Sequence, residues 1–192
     1  MKYFATQSCL VLFFCISFSV QGQIKLNGIG EITRYDNIAK QTYGLQLEIY
    51  PAEWISLGYQ FSLGQSSEND IFGNYGHMTM GVYGASFPFR TYINTEEDFF
   101  LYVAVLAALL PESITFHIPI TSSFYISPYA APFGIEYMRL DGEDYYKGSF
   151  TGGVRLNIYY NGINFMPYMG ARTTYDNPNW GIMLGASIGV IF

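Results

Sequence analysis

Two histidines, a handful of serines and a scatter of acids are the residues here with the types to do chemistry. A nucleophilic hydroxyl needs a base, and the base needs an acid to orient it. Ser66 or Ser67 with Glu68 and His77 is the one grouping of that composition. It reads as loop sequence rather than a rigid catalytic rim, so no catalytic residue is assigned. The only other histidine, His117, stands forty positions further on without ligand-spaced neighbours, so no metal site and no cofactor are expected. Asp141, Glu143 and Asp144 would suit calcium, but a charged, solvated loop is the simpler reading of such a run.

Both cysteines, Cys9 and Cys15, fall within the first 22 residues, so the chain from Gln23 onward has no disulfide and no thiolate ligand. That opening segment carries Lys2 and then a hydrophobic run from Cys9 to Val20 before Gln21-Gly22. It reads as a secretory signal peptide over 1–22, with a single domain over 23–192. The 192 residues hold 9 basic against 15 acidic side chains, the bases scattered singly, which leaves no electrostatic footprint for nucleic acid. Half the chain is hydrophobic, so disorder is excluded as well.

What must position any site is a set of strands. Ile55, Leu57, Tyr59, Phe61 and Leu63 alternate with Ser56, Gly58, Gln60, Ser62 and Gly64, a period of two with one apolar face. Tyr43 to Ile49 and Val154 to Tyr160 repeat the pattern, and Asn161-Gly162 is a two-residue hairpin signal. Eight strands are expected at 24–35, 42–50, 54–64, 77–87, 125–139, 148–160, 163–175 and 180–192. Their lengths match what a tilted strand needs to cross a bilayer. The links at 51–53 and 161–162 are tight, whereas 65–76 and 140–147 read as longer polar loops on the opposite side.

Alternation alone does not say which face meets solvent. A wetted face is normally rich in Lys and Glu. This chain has three lysines after residue 22 and fills the non-apolar positions with Gly, Ser, Asn and Gln. Such residues suit a cramped interior, which makes the apolar face the outer one. On that assignment Glu31, Glu48, Glu136, Arg155 and Arg172 point into the lumen, where charges must pair. They are expected to form a structural network with the two arginines at its centre. Tyr35, Tyr43, Tyr50, Trp54, Tyr159, Tyr160, Tyr175 and Trp180 gather at strand ends and read as interfacial aromatic girdles.

The last strand, Trp180 to Phe192, puts Ile182, Leu184, Ala186, Ile188 and Val190 on one face and ends on an aromatic. It resembles the closing strand of Gram-negative outer-membrane β-barrels, and with the leader and eight strands the chain resembles small barrels of the OmpA or OmpX type. The resemblance implies an all-β, eight-stranded antiparallel up-and-down transmembrane barrel in the cell outer membrane. It further implies outer-membrane lipid as surroundings and the barrel assembly machinery as a transient partner that reads Phe192. No family motif for an activity accompanies it. Some such barrels are lipid hydrolases or acyltransferases, which makes the His77 grouping the basis of an alternative function.

One stretch departs from the pattern. Arg90 to Ser123 lies between expected strands four and five. Thr95, three acids and the run Phe99 to Leu110 before Pro111 predict an apolar helix over 96–109, on the periplasmic side. The competing reading makes 99–109 and 113–120 two further strands, ten in all. The expected function is non-enzymatic: a porin-like envelope barrel acting as a structural or accessory component, the helix and outer wall offering a surface to a larger envelope complex.

Overall fold

The computed structural model describes residues 23–68, 71–79, 111–140, 142–176 and 179–192. They form β1 (Ile24–Tyr35), β2 (Ile38–Ala52), β3 (Ile55–Ser66), β4 (Tyr75–Thr79), β5 (Ser113–Phe116), β6 (Ile118–Thr121), β7 (Phe124–Leu140), β8 (Glu143–Tyr160), β9 (Ile163–Thr174) and β10 (Gly181–Ile191). Neighbours along the chain pair antiparallel, and β1 pairs β10, so the sheet closes into an eight-stranded up-and-down barrel. The β1–β10 seam is what a span through lipid requires; of the described strands, β6 pairs with β7 alone. Strands β1 and β10 zip from Lys25 opposite Ile191 to Arg34 opposite Ile182.

Ten segments make eight wall positions because the fourth strand is split. Strand β4 fills the place between β3 and β7 at one level, with Ser62 opposite His77 and Glu136 opposite the same histidine. Strand β5 fills that same place at the next level, with Gly58 opposite Ser113 and Ala130 opposite Ile114. Strand β6 continues β5 along β7 in unchanged register, Ile118 facing Ile126. Three expectations are corrected here. The fourth strand begins at Tyr75, not residue 77. The stretch from 113 to 121, assigned to an insertion between strands four and five, completes the fourth wall position. The alternating Ile114, Phe116, Ile118 and Ile120 are indeed strand, and all four point outward, yet they add no new position to the wall. The predicted helix over 96–109 and the rest of the expected strand to residue 87 lie outside the described residues, as does the leader, 1–22.

The connection expected at 140–147 is also corrected. Strands β7 and β8 run on as a hairpin through Met138 opposite Tyr145 to Leu140 opposite Glu143, with Gly142 at φ +84° in the turn. Past the hydrocarbon boundary the outward face no longer has to be apolar, so alternation fades although the strands continue. The tight turn at Asn161-Gly162 has both residues at positive φ, 49° and 80°, the conformation a two-residue hairpin turn demands.

The core is inverted relative to a water-soluble domain. Buried side chains are mostly polar, among them Lys25, Asn27, Glu48, Ser62, Asn157 and Arg172, each at most 1% exposed. Outward-facing Ile32, Leu45, Ile182, Leu184 and Ile188 are 49–69% exposed. In water, that arrangement would forfeit the main favourable term in folding. In a bilayer the exposed band meets solvent of its own kind.

Candidate functional site

Strict alternation delivers Glu31 from β1, Glu48 from β2, Glu136 from β7, Arg155 from β8 and Arg172 from β9 to one interior, all 5% exposed or less. The structure does not gather them into a single cluster. Arg172 Nη1 donates to Glu31 Oε1 at 2.6 Å and its Nε to Thr151 at 2.9 Å. Arg155 Nη1 reaches Glu48 Oε1 at 2.9 Å and Thr115 at 3.0 Å, its guanidinium carbon 4.0 Å from the Tyr129 ring centre. Glu136 has no arginine at bonding distance among the described residues; it accepts from Lys40 at 2.9 Å and from the Tyr35 hydroxyl at 2.8 Å.

Three charged members were not foreseen. Lys25 contacts Glu48 Oε2 at 2.6 Å and donates to Asn157 and Asn164, both at 3.1 Å. Lys40 lies 4.6 Å from the Tyr35 ring centre and 4.5 Å from that of Tyr75. Glu112, just before β5, approaches His77 Nδ1 to 3.2 Å. Lys25 shares parity with Glu31, and Lys40 with Glu48, so the alternation already placed both inside. Glu112 lies outside any regular alternation, which is why it gave no signal.

The additions change the electrostatics. Two arginines and three glutamates alone leave an excess acid. With Lys25, Lys40 and Glu112, the described interior holds four cations (Lys25, Lys40, Arg155, Arg172) and four carboxylates (Glu31, Glu48, Glu112, Glu136). Balance of that kind is what a confined interior of low dielectric requires. Between Arg155, Arg172, Glu31 and Glu112 the remaining void is about 10 Å³, roughly one water. An eight-stranded barrel is narrow enough for its side chains to fill, and here they do.

His77 is fully buried. Its Nε2 lies 3.3 Å from Ser149 Oγ, so Glu112, His77 and Ser149 stand in the order of an acid, a base and a hydroxyl. Gly134 allows this approach, since a Cβ there would come within 2.6 Å of both His77 Nε2 and Ser149 Oγ. Ser149 is itself fully buried. The grouping expected from the sequence is not assembled: Ser67 Oγ accepts from the Ala39 amide at 3.0 Å, and Glu68 lies at the barrel mouth. His117 is held between Ser127 and Ser56 hydroxyls at 3.0 and 2.9 Å, a packed interior position. Among the described residues, no three acids, histidines or cysteines converge for a metal ion.

The aromatic residues divide by parity. Trp54 and Tyr160 are exposed at the end where Gln23 and Phe192 lie, and Tyr175 and Trp180 at the opposite end. Tyr43 lies on the outer wall over Gly30. Tyr50 and Tyr159 are corrected, because each shares parity with lumenal neighbours, Glu48 for one and Arg155 and Asn157 for the other. Tyr50 is 9% exposed, donates to Glu48 at 3.0 Å and stacks on His117 at 5.0 Å. Tyr159 is half-buried edge-on to Tyr125 at 5.5 Å. Tyr35, also named for the girdle, turns to Glu136.

The fold recurs among solved structures. The N-terminal β-barrel domain of Pseudomonas aeruginosa OprF aligns over 90% of this chain and 100% of its own, with a TM-score of 0.57 at 11% identity. Neisserial surface protein A aligns over 89% and 97%, with a TM-score of 0.52 at 6% identity. The chain has the fold of a small outer-membrane β-barrel. No protein-family model matches its sequence, and no curated protein does either. The barrel is therefore shared with these proteins as architecture, while the charge layers in its interior are described by its own residues.

Proposed function

We propose that the protein is a closed, non-enzymatic barrel of the cell outer membrane, serving as a structural or accessory component of the envelope. In this reading it is exported by a leader over 1–22 that is removed on the way. The observation that carries the reading is the inverted core: among the described residues, a charge-balanced polar interior packed down to a void of about 10 Å³ between Arg155 and Arg172, inside a wall whose exposed band is apolar. The lumenal pairs of Glu31, Glu48, Glu136, Arg155 and Arg172 hold the strands together where a soluble barrel would use apolar packing. Tyr43, Trp54, Tyr160, Tyr175 and Trp180 anchor the wall at the lipid boundaries. Phe192, exposed at the seam where its amide donates to Ile24 O at 2.9 Å, is the end that the assembly machinery reads during insertion.

The test is conductance of the refolded full chain in planar bilayers, read beside gentle extraction from native membranes. A closed barrel gives no steady current, and an accessory component elutes with a larger assembly. Large steady currents that vanish in Arg155→Ala would overturn the closed interior. Elution as a monomer after the gentlest extraction would overturn the accessory role.

A further inference from the structure

At the end opposite Gln23 and Phe192, residues beside four of the strand connections line one cup of about 440 Å³, a size typical of small-ligand sites. The turn at Asp36-Asn37, Glu68 before β4, Tyr145 of the β7–β8 hairpin and Asn179 before β10 each contribute to it. Its floor is the Lys40–Glu136 pair.

We propose that this cup binds a small organic ammonium ion arriving from outside. Charge is the first argument. Lys40 is paired with Glu136 at 2.9 Å and Lys147 with Asp176 at 2.8 Å, which leaves the carboxylates of Asp36 and Glu68 as the only lining charges without an ion-pair partner among the described residues. An anion would meet net repulsion there. Among the described residues no three metal-binding side chains converge to give a compact inorganic cation its ligand shell. An organic cation fits both conditions, because its charge meets the carboxylates while its carbon body meets Tyr35, Tyr145, Ile38 and Met138.

The molecule itself supplies the second argument. Directly beneath the cup, an ammonium is already held by rings and a carboxylate. Lys40 Nζ sits 4.6 and 4.5 Å from the Tyr35 and Tyr75 ring centres, above Glu136, whose side chain is 4% exposed. Tyr75 is 1% exposed, and its hydroxyl has no hydrogen-bond partner among the described residues, so the contact its ring makes here is with the cation. Tyr35 belongs both to this cage and to the lining of the cup.

The experiment is a titration of the refolded full chain in a non-ionic glucoside detergent, followed by calorimetry. Choline is the probe, 3,3-dimethylbutan-1-ol its neutral isostere, and sodium sulfate the anion arm. Choline is expected to saturate in the millimolar range, with the neutral alcohol at least about tenfold weaker. The variant Asp36→Asn with Glu68→Gln is expected to lose at least about tenfold in choline affinity at an unchanged urea midpoint, because both residues are exposed. The proposal is overturned by an absence of saturable choline binding, by equal binding of the neutral alcohol, by preferential binding of sulfate, or by an unaffected double variant. None of these outcomes bears on conductance, so the closed-barrel reading stands or falls separately.

Discussion

Replacing Arg172 by methionine is the sharpest probe of the interior. The side chain is 1% exposed, donates to Glu31 at 2.6 Å and to Thr151 at 2.9 Å, and sits in a lumen whose charges balance. Methionine preserves the stem and removes the charge, leaving Glu31 with two longer donors, the Tyr168 and Thr33 hydroxyls, both at 3.3 Å. An ion left buried without its partner costs about 3–5 kcal/mol, roughly a 10²- to 10⁴-fold change in the folding equilibrium. At a urea slope of about 2 kcal/mol per molar, the midpoint should fall by about 1.5–2.5 M. Unfolding from lipid vesicles can be followed by the fluorescence of Trp54 and Trp180, which report from opposite ends. Removing both partners, as in Arg172→Met with Glu31→Leu, should recover most of the loss. The control is Arg139→Met, whose pair with Asp144 has side chains 50% and 36% exposed and is screened by solvent; its urea midpoint should match that of the parent. The reasoning fails if Arg172→Met stays within about 1 kcal/mol of the parent, or if the double variant costs as much as the two single changes added.

Three further outcomes follow from the same geometry. Leu45→Arg puts a charge on the outer wall midway along β2 and should cost about 2–4 kcal/mol in vesicles, while Asn37→Arg in the turn should cost under about 0.5 kcal/mol; equal costs would mean the wall does not face lipid. Gly185→Ala places a Cβ within 2.3 Å of the Tyr168 ring, which must swing away from Glu31; a loss of about 1–3 kcal/mol is expected, and urea denaturation reads it. At the outer rim, Lys147 donates to Asp176 and, with Thr174, holds its carboxyl below the ordinary 3.8. Since the folded value lies below the unfolded one, this contribution is present above about pH 3.8 and disappears as the pH falls through the folded value. A carboxyl NMR titration should return to the ordinary range in Lys147→Gln, and no movement would remove the lysine as the cause.

Where one face had to be apolar, the chain stated its own structure. The alternation through Tyr43 to Ile49 and Val154 to Tyr160 reappears as outward and inward positions, because lipid on one side and a crowded polar lumen on the other leave no tolerance for slippage. Tyr50 and Tyr159 show the cost of letting residue type outrank parity. Both are aromatics near strand ends, and both point inward because their neighbours two positions away do. Lys25 and Lys40 were legible by the same rule. The β7–β8 hairpin was not, since Asp141 to Lys147 lies beyond the boundary where lipid enforces a pattern, and strand there has the composition of a loop. The split of the fourth strand was equally hidden. Pairing of one wall position by two stretches far apart in sequence is a long-range relation that no local period encodes.

That split also bears on what brings an acid, a base and a hydroxyl into line here. His77 comes from one half of the fourth strand, Glu112 leads into the other half, and Ser149 comes from β8, across the bulge of β7 where register shifts between Ala131 and Gly134. The contacts therefore bridge the place where the wall changes from one stretch of chain to another. Ion-pair and hydroxyl contacts at such a junction hold two stretches in one register, a structural task that depends on exclusion of solvent. Catalysis would require the opposite, a hydroxyl open to a reacting carbonyl. With Ser149 and His77 both fully buried, the geometry serves the junction. What the barrel offers to other molecules then lies at its open mouth and along its lipid-facing wall.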